Sequence, residues 1–284
     1  MTPLWATGAV SLTVGGLWYG LRRYQNSQLF KPTRARGPLS PNPAEKGVPF
    51  ESVRFGSQGR LHGWFLPRDP KADTLLFCHG NRGNLSDRVG SCLLYHELGF
   101  NVFALDYRGY GLSAGRPSEA GLYDDAHEAW RYLVVQRHIP AARLVLLGRS
   151  LGGAIASHLA TRVTPAAVVI EATFKSVLDL AREHYPNLPT WGLGRMQFDN
   201  VARIGKINSP LLLVHSKDDT VINIAHAEAL HAKAPPGTEL VRIIGEHSNG
   251  HITSGDRYTE PLVRFLDQCG VRRVPIQGVA HRNV

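Results

Sequence analysis

The stretch RLVLLGRSLGGAIASHLA, residues 143–160, decides the fold of this chain. Its first half, RLVLL, is a short continuous apolar run, as expected for a strand that is covered on both faces. Its second half, LGGAIASHLA, is rich in small residues and compatible with a helix. Between the two halves, Gly148-Arg-Ser150-Leu-Gly152 fits G-x-S-x-G, a pattern that places a serine on a sharp turn from a strand into a helix. We therefore predict that Ser150 lies on such a turn and is a nucleophile.

A second G-x-S-x-G match, Gly111-Leu-Ser113-Ala-Gly115, has a different context. It lies in DYRGYGLSAGRP, where glycines and a proline interrupt any regular element. The bare pattern is weak in a chain of 284 residues with 29 glycines, so the context decides. We interpret Ser113 as a loop serine.

Apolar runs similar to RLVLL recur along the chain and alternate with helical segments. Helix-like segments lie near 84–98, 118–137, 151–163, 175–184, 223–234 and 256–269. This order predicts the α/β class: an eight-stranded, mostly parallel sheet with an antiparallel start and helices on both faces. Residues 172–209 form a longer insertion, predicted to be a small cap over the carboxyl edge of the sheet, where ligands of such folds bind. The predicted strands are Pro49–Phe55, Leu61–Leu66, Asp73–Cys78, Asn101–Asp106, Arg143–Leu147, Ala166–Glu171, Pro210–His215 and Glu239–Ile244.

Composition and charge exclude several classes of protein. With 43% hydrophobic and 19% charged residues the chain can bury a core, and three cysteines cannot build a disulfide framework. The net charge of +9 lies at the ends, since five basic residues precede the first acidic residue, Glu45, and three follow the last, Asp267. The balanced body shows no basic stripe interleaved with aromatic residues, so no nucleic-acid partner is predicted.

The N-terminal residues have the pattern of a membrane anchor. Leu4 to Leu21 carry no charge over 18 residues, roughly 27 Å as a helix, with aromatic residues at both ends. The five basic residues that follow predict a single-pass protein whose main domain faces the cytoplasm. A cleaved signal peptide and a buried soluble helix are the alternatives. The predicted division is an anchor with its basic flank at 1–30, a linker at 31–48, the domain at 49–270 and a basic tail at 271–284.

The predicted turn at Ser150, known as a nucleophile elbow, also predicts an oxyanion hole. The backbone N–H of Leu151, which follows the serine, supplies one donor at the start of the helix. The second should come from the loop after the third strand, CHGNRGN (78–84), and Asn81 N–H is the predicted donor.

A base and an orienting acid must complete such a site, and they follow the serine in the order acid, then histidine. Lys217-Asp218-Asp219-Thr220 follows the seventh strand, so Asp219 or Asp218 is the candidate acid, with Glu171 a third choice. His247 lies in the loop after the eighth strand and is the candidate base. His251 is the alternative base. The two histidines have a spacing that could suit a metal pair, but no pattern for a third ligand accompanies them, so no metal is predicted.

These motifs resemble those of the membrane-anchored serine hydrolases of the α/β-hydrolase fold, specifically the Bem46-like proteins and the related eukaryotic depalmitoylases. The resemblance spans nearly the whole chain. It implies that the acid is Asp219, four residues after His215, and that the histidine is the one eight residues before Gly255-Asp256, which is His247. The matching segments are His79-Gly80-Asn81, Asp106 to Ser113, Gly148 to Gly152, Glu171 to Phe174, Tyr185-Pro186, Phe198-Asp199 and His215 to Asp219.

Together, the motifs and the resemblance predict a serine hydrolase of carboxylic esters or thioesters that needs no cofactor. With the anchor, they favour small-molecule or lipid acyl substrates at the inner face of a membrane. A serine peptidase of the same fold and a non-catalytic membrane-anchored scaffold are the alternatives. The oligomeric state is not predicted.

Overall fold

A central sheet of eight strands organises the protein. The computed structural model describes residue 27, residues 29–186 and residues 197–275. Within these residues the strands are β1 (Lys31–Pro32), β2 (Glu51–Phe55), β3 (Leu61–Leu66), β4 (Thr74–Cys78), β5 (Arg82–Gly83), β6 (Asn101–Asp106), β7 (Leu144–Arg149), β8 (Ala167–Glu171), β9 (Leu211–Ser216) and β10 (Glu239–Ile243). The α-helices are α1 (Val89–Glu97), α2 (Glu119–Arg131), α3 (Leu151–Ala160), α4 (Val177–His184), α5 (Val201–Ile204), α6 (Ala225–His231), α7 (Gly250–Thr253) and α8 (Asp256–Gln268).

The strand order in the large sheet is β10-β9-β8-β7-β4-β6-β3-β2. The strand β3 runs antiparallel to both of its neighbours, β2 and β6, and the other described pairings of this sheet are parallel. The predicted mostly parallel sheet with an antiparallel start is therefore confirmed. Each predicted strand begins and ends within two residues of the corresponding observed strand.

The period of two along each strand divides the apolar side chains between two cores. In β4, Leu76 and Cys78 belong to a cluster with α2 and α3, whereas Leu75 and Phe77 belong to a cluster with α1 and α8. Helices thus cover both faces of the sheet, as the continuous apolar runs predicted.

The predicted cap connects β8 to β9. Its described parts are residues 172–186, which contain α4, and residues 197–209, which contain α5. Phe198 is fully buried and packs edge-on against Tyr123 of α2, with 5.5 Å between ring centroids. This contact holds the second part of the cap to the body.

The segments predicted to be a linker and a tail make specific contacts with the domain where the structure describes them. In residues 31–48, β1 pairs in parallel with β5, and Leu39 is buried. At the other end, Val271 is buried and Arg272 forms an ion pair with Asp73 at 3.1 Å.

The predicted membrane span, Leu4 to Leu21, lies outside the described residues. Within residue 27, residues 29–186 and residues 197–275, no helix has both the length and the apolar character needed to cross a membrane.

Candidate active site

Ser150 occupies a sharp turn between β7 and α3. Its backbone has φ 56° and ψ −121°, a conformation that a residue with a side chain rarely adopts and that costs about 1–3 kcal/mol. The backbone N–H of Ser150 donates to the carbonyl of Glu171 at 2.8 Å, and Thr173 Oγ1 donates to the carbonyl of Ser150 at 2.8 Å. The two bonds fix the strained turn to the end of β8.

The glycines of the motif leave room for this turn. A Cβ atom on Gly148 would lie 2.2 Å from the carbonyl oxygen of Gly152. A Cβ atom on Gly152 would lie 1.9 Å from the carbonyl oxygen of Cys78. Both distances are shorter than any real contact, so the close packing of α3 against β4 and β7 requires glycine at these positions.

The structure brings Ser150, His247 and Asp219 into one hydrogen-bonded row. The Nε2 atom of His247 lies 3.0 Å from Ser150 Oγ, and its Nδ1 atom lies 2.7 Å from Asp219 Oδ2. Ser150 follows β7, Asp219 follows β9 and His247 follows β10, so all three residues come from the carboxyl edge of the sheet. The His247 side chain is 19% exposed and the Asp219 side chain is fully buried.

The surroundings of Asp219 keep it ionised. Burial disfavours the carboxylate, but the imidazoles of His215 and His247 and the N–H of Ile222 outweigh this effect and hold the pKa of Asp219 well below its ordinary value. Val221 and Ile222 donate their backbone N–H groups to Oδ1 at 2.9 and 2.8 Å. An ionised carboxylate only accepts hydrogen bonds, so Nδ1 of His247 must carry a proton. In the neutral ring, Nε2 then presents its lone pair to the hydroxyl of Ser150.

The predicted oxyanion donors belong to residues near Ser150. Leu151 is the first residue of α3, so its N–H has no acceptor within the helix. The loop that carries Asn81 approaches the serine closely, since a Cβ atom on Gly80 would lie 3.9 Å from Ser150 Oγ. The ring Nδ1 of His79 donates to the carbonyl of Gly80 at 2.7 Å, which fixes the peptide plane that contains the Asn81 N–H.

Two tyrosines that sequence reasoning did not single out support this loop. Tyr107 donates its hydroxyl to the carbonyl of His79 at 3.0 Å, and Tyr110 donates to the carbonyl of Asn81 at 2.8 Å. Both belong to the DYRGYG stretch, for which the sequence offered no role beyond the family resemblance. These bonds show that this stretch packs against the back of the loop with Asn81.

The alternative acids face other partners. Asp218 Oδ2 accepts the backbone N–H of Gly245 at 3.0 Å, which is the role of an ordinary loop carboxylate. Glu171 is buried and paired with Arg149, whose Nη2 and Nε lie 2.6 and 2.9 Å from Glu171 Oε2. Within the described part of the chain, neither of these carboxylates forms a hydrogen bond or ion pair with His247.

His251 and Ser113 are likewise engaged elsewhere. The Nε2 atom of His251 lies 2.7 Å from Arg149 Nη1 and 3.1 Å from Ser91 Oγ. Ser113 is buried, and its hydroxyl donates to the carbonyl of Asp106 at 2.6 Å and accepts the N–H of His62 at 2.8 Å. Their contacts make these residues parts of the scaffold. In the described part of the chain, no group of three His, Cys, Asp or Glu side chains is placed to hold a metal ion.

A buried polar cluster that the sequence analysis did not predict lies behind the nucleophile turn. Arg149 joins Glu171 at the end of β8, His251 of α7 and the hydroxyl of Tyr95 in α1, at 2.8 Å for the last. Tyr258 of α8 donates to the same glutamate. A cavity of about 20 Å³, enough for one water molecule, separates this cluster from the row with His247. The cluster ties the loop with His247 to the turn that carries Ser150.

Comparisons with known proteins agree with this architecture. A family model described as the α/β hydrolase fold matches residues 73–200. The chain is 32% identical to the α/β hydrolase domain-containing protein WAV2 of Arabidopsis thaliana, over 80% of this chain and 81% of that protein. It is 33% identical to the mouse α/β hydrolase domain-containing protein 17C, over 75% of this chain and 66% of that protein. Among solved structures, an esterase of Pyrococcus furiosus superposes with a TM-score of 0.69 at 18% identity, covering 84% of this chain and 97% of the esterase, and this likeness shows the fold.

Proposed function

The chain belongs to the α/β-hydrolase family, and we propose that it is a serine hydrolase that cleaves carboxylic ester or thioester bonds. The observation that carries the proposal is the row of Ser150, His247 and Asp219 on a strained strand-to-helix turn. A serine hydroxyl is a weak nucleophile unless an adjacent base takes its proton. The contact of 3.0 Å between His247 Nε2 and Ser150 Oγ meets that requirement.

In the proposed reaction, Ser150 Oγ attacks the acyl carbonyl carbon while its proton moves to His247 Nε2. The carboxylate of Asp219 holds the protonated Nδ1 and stabilises the imidazolium that forms. The negative charge that develops on the carbonyl oxygen is accepted by the N–H groups of Leu151 and Asn81.

The tetrahedral intermediate collapses when His247 returns the proton to the leaving alkoxide or thiolate, which leaves an acyl group on Ser150. A water molecule then attacks this acyl-enzyme, and His247 takes the proton of the water. A second collapse frees the carboxylic acid and restores the hydroxyl of Ser150. Each step of this reaction uses only protein groups, the substrate and water, so the proposal includes no cofactor.

For the substrate class, we infer acyl groups of lipids or of acylated molecules at the inner face of a membrane. The predicted span and its basic flank support this inference, as does apolar surface at the edge of the site. Val221, two residues after Asp219, and Tyr185 in the cap are 47% and 63% exposed. His184 Nε2 binds the carbonyl of Val221 at 2.8 Å, so this apolar part of the cap adjoins the loop with the candidate acid.

The proposed nucleophile is tested by labelling with a fluorophosphonate probe and mapping the labelled peptide by mass spectrometry. We expect wild type and Ser113→Ala to be labelled on Ser150 and Ser150→Ala to remain unlabelled. Labelling of Ser150→Ala at another residue would contradict the assignment. An unlabelled wild type that also hydrolyses no ester would favour the non-catalytic scaffold.

The proposed substrate class is tested with nitrophenyl esters of increasing chain length and with a variant lacking residues 1–26. We expect kcat/KM to rise with chain length, and the shortened variant to leave the membrane fraction and to lose turnover of esters in vesicles. Unchanged membrane association and lipid turnover would contradict the anchoring proposal. Faster cleavage of peptide amides than of esters would favour the peptidase.

A further inference from the structure

We propose that residues 29–33, here called the N-terminal strap, position the backbone N–H of Asn81 for oxyanion binding. The inference rests on the proposed function, because it gives the strap a part in that reaction. The sequence predicts only a linker beyond residue 30, whereas the structure seats these residues directly on the loop that carries the candidate donor.

Hydrogen bonds join the strap to this loop along its whole length. The N–H of Lys31 donates to the carbonyl of Asn81 at 3.0 Å, and the N–H of Thr33 donates to the carbonyl of Gly83 at 2.9 Å. The side-chain amide of Asn81 donates to the carbonyl of Leu29 at 2.9 Å. Lys31 and Pro32 are thus paired in parallel with Arg82 and Gly83 as β1 and β5.

These bonds act on a loop that has little stiffness of its own. The loop contains Gly80 and Gly83, and Gly83 has φ 73°, in the left-handed region. The His79 ring fixes the peptide plane before Asn81, and the hydroxyl of Tyr110 binds the carbonyl after it. The strap supplies the second bond to that carbonyl and also holds the Asn81 side chain. Without the strap, the loop would keep the bonds from His79 and Tyr110, but Asn81 would lose one of the two bonds to its carbonyl and the bond that holds its side chain.

Packing as well as hydrogen bonding keeps the strap in place. Phe30 is 3% exposed and belongs to the core cluster on the side of α2 and α3. Its ring lies edge-on to Phe198 of the cap, with 6.2 Å between centroids. The strap therefore contacts both the cap and the loop of residues 78–84, here called the oxyanion loop.

The position of the strap also relates the site to the predicted anchor. The predicted span ends at Leu21, eight residues before Leu29, and eight residues of fully extended chain reach about 28 Å at most. A span in the membrane would therefore hold the oxyanion loop near the membrane surface, where acyl substrates of the proposed class reside.

The test measures kcat and KM for a short, soluble nitrophenyl ester with full-length variants. Asn81→Ala keeps the backbone N–H but removes the bond to Leu29, and Phe30→Ala removes the packing against Phe198. A 1 Å misplacement in an active site can cost about 100-fold, and loss of one oxyanion donor about 100- to 1,000-fold. We expect each variant to lower kcat by about 10- to 100-fold and to change KM by less than about threefold. Phe30→Leu, which keeps the apolar contact, should restore most of the kcat.

The matched control is Asn42→Ala, which removes an asparagine of the same N-terminal segment. Asn42 caps residues 43–46: its side chain accepts the N–H groups of Ala44 and Glu45 and donates to Leu39 and Glu45, none of which belongs to the oxyanion loop. We expect its kcat to equal that of wild type. Thermal unfolding gives the folded fraction for each variant, so that kcat is expressed per folded molecule and general instability is separated from misplacement.

The outcomes distinguish the strap from the proposed function. A kcat within twofold of wild type in Asn81→Ala or Phe30→Ala, at full folding, would overturn the role of the strap. An equal loss of kcat in Asn42→Ala would overturn it as well. Ser150→Ala, measured beside them, reports on the function itself: wild-type hydrolysis that does not depend on Ser150 would overturn the proposed function and, with it, the proposed role of the strap.

Discussion

The buried ion pair behind the nucleophile turn allows a prediction about stability. Arg149 donates two hydrogen bonds to Glu171, at 2.6 and 2.9 Å, and the two side chains are 10% and 3% exposed. Arg149→Met removes the cation at similar volume and leaves the carboxylate of Glu171 buried without its partner. Removing one member of a buried pair costs about 3–5 kcal/mol, so we expect the free energy of unfolding to fall by that amount.

A second substitution should recover part of this loss. In Arg149→Met/Glu171→Gln no charge of the pair remains buried, and the glutamine oxygen can still accept the hydroxyl of Tyr258. Ser91, Tyr95 and His251 still lose their contacts with the guanidinium, at about 1 kcal/mol each. We therefore expect the double variant to be more stable than Arg149→Met by about 2 kcal/mol, yet less stable than wild type.

Urea unfolding followed by tryptophan fluorescence at pH 7 measures these differences, because Trp64 and Trp130 are buried in the domain. The matched single variant Glu171→Gln completes the double-mutant cycle. Additivity of the two single losses within about 0.5 kcal/mol would show that the two charges do not interact, and would refute the reasoning.

Three further predictions concern the site and its pH dependence. Asp219→Asn should leave His247 in the wrong tautomer and lower kcat on a soluble ester by about 10⁴-fold, whereas the matched Asp218→Asn should retain kcat; equal effects of the two would contradict the assignment of the acid. Gly152→Ala places a Cβ atom 1.9 Å from a backbone carbonyl of β4 and should destabilise the protein by more than about 3 kcal/mol, and a melting temperature within 2–3 °C of wild type (roughly 1 kcal/mol) would contradict this. Burial and the charge of Arg149 hold the pKa of His251 well below its ordinary value. Below about pH 6.5, His251 therefore binds a proton in the unfolded chain but remains neutral in the folded chain. Stability should therefore fall from pH 7 to pH 5, and fall less in His251→Gln; an equal fall in both proteins, measured by urea unfolding, would contradict that cause.

The fold could be predicted because its strands are continuous apolar runs. A strand such as β4, TLLFC, contributes side chains to both cores, and a short continuous apolar run of this kind is typical of a strand that is covered on both faces. The position of Ser150 on a strand-to-helix turn could be predicted because the close packing there requires glycine two residues before and two residues after the serine, at Gly148 and Gly152. Both signals are local, so one sequence suffices to find them.

The remaining features of the site depend on contacts between distant parts of the chain. The residues alone left Asp218 and Asp219 open, because adjacent acids differ only in which one points to His247. Arg149 occupies one of the unspecified positions of the G-x-S-x-G motif, so the motif assigns it no role. Its buried partners lie up to about 100 residues away along the chain. The strap binds a loop some 50 residues further on through two backbone bonds and one bond from the Asn81 side chain, and no local sequence pattern indicates such distant contacts.

The most direct test of the central claim compares wild type with Ser150→Ala in the hydrolysis of a soluble nitrophenyl ester. We expect wild type to turn over the ester and Ser150→Ala, folded to the same melting temperature, to be slower by about 1,000-fold or more. The bonds at both ends of the turn involve backbone atoms of residue 150, so the substitution should not unfold the site. A Ser150→Ala variant that retains the wild-type rate would contradict the claim that Ser150 is the nucleophile of a serine hydrolase.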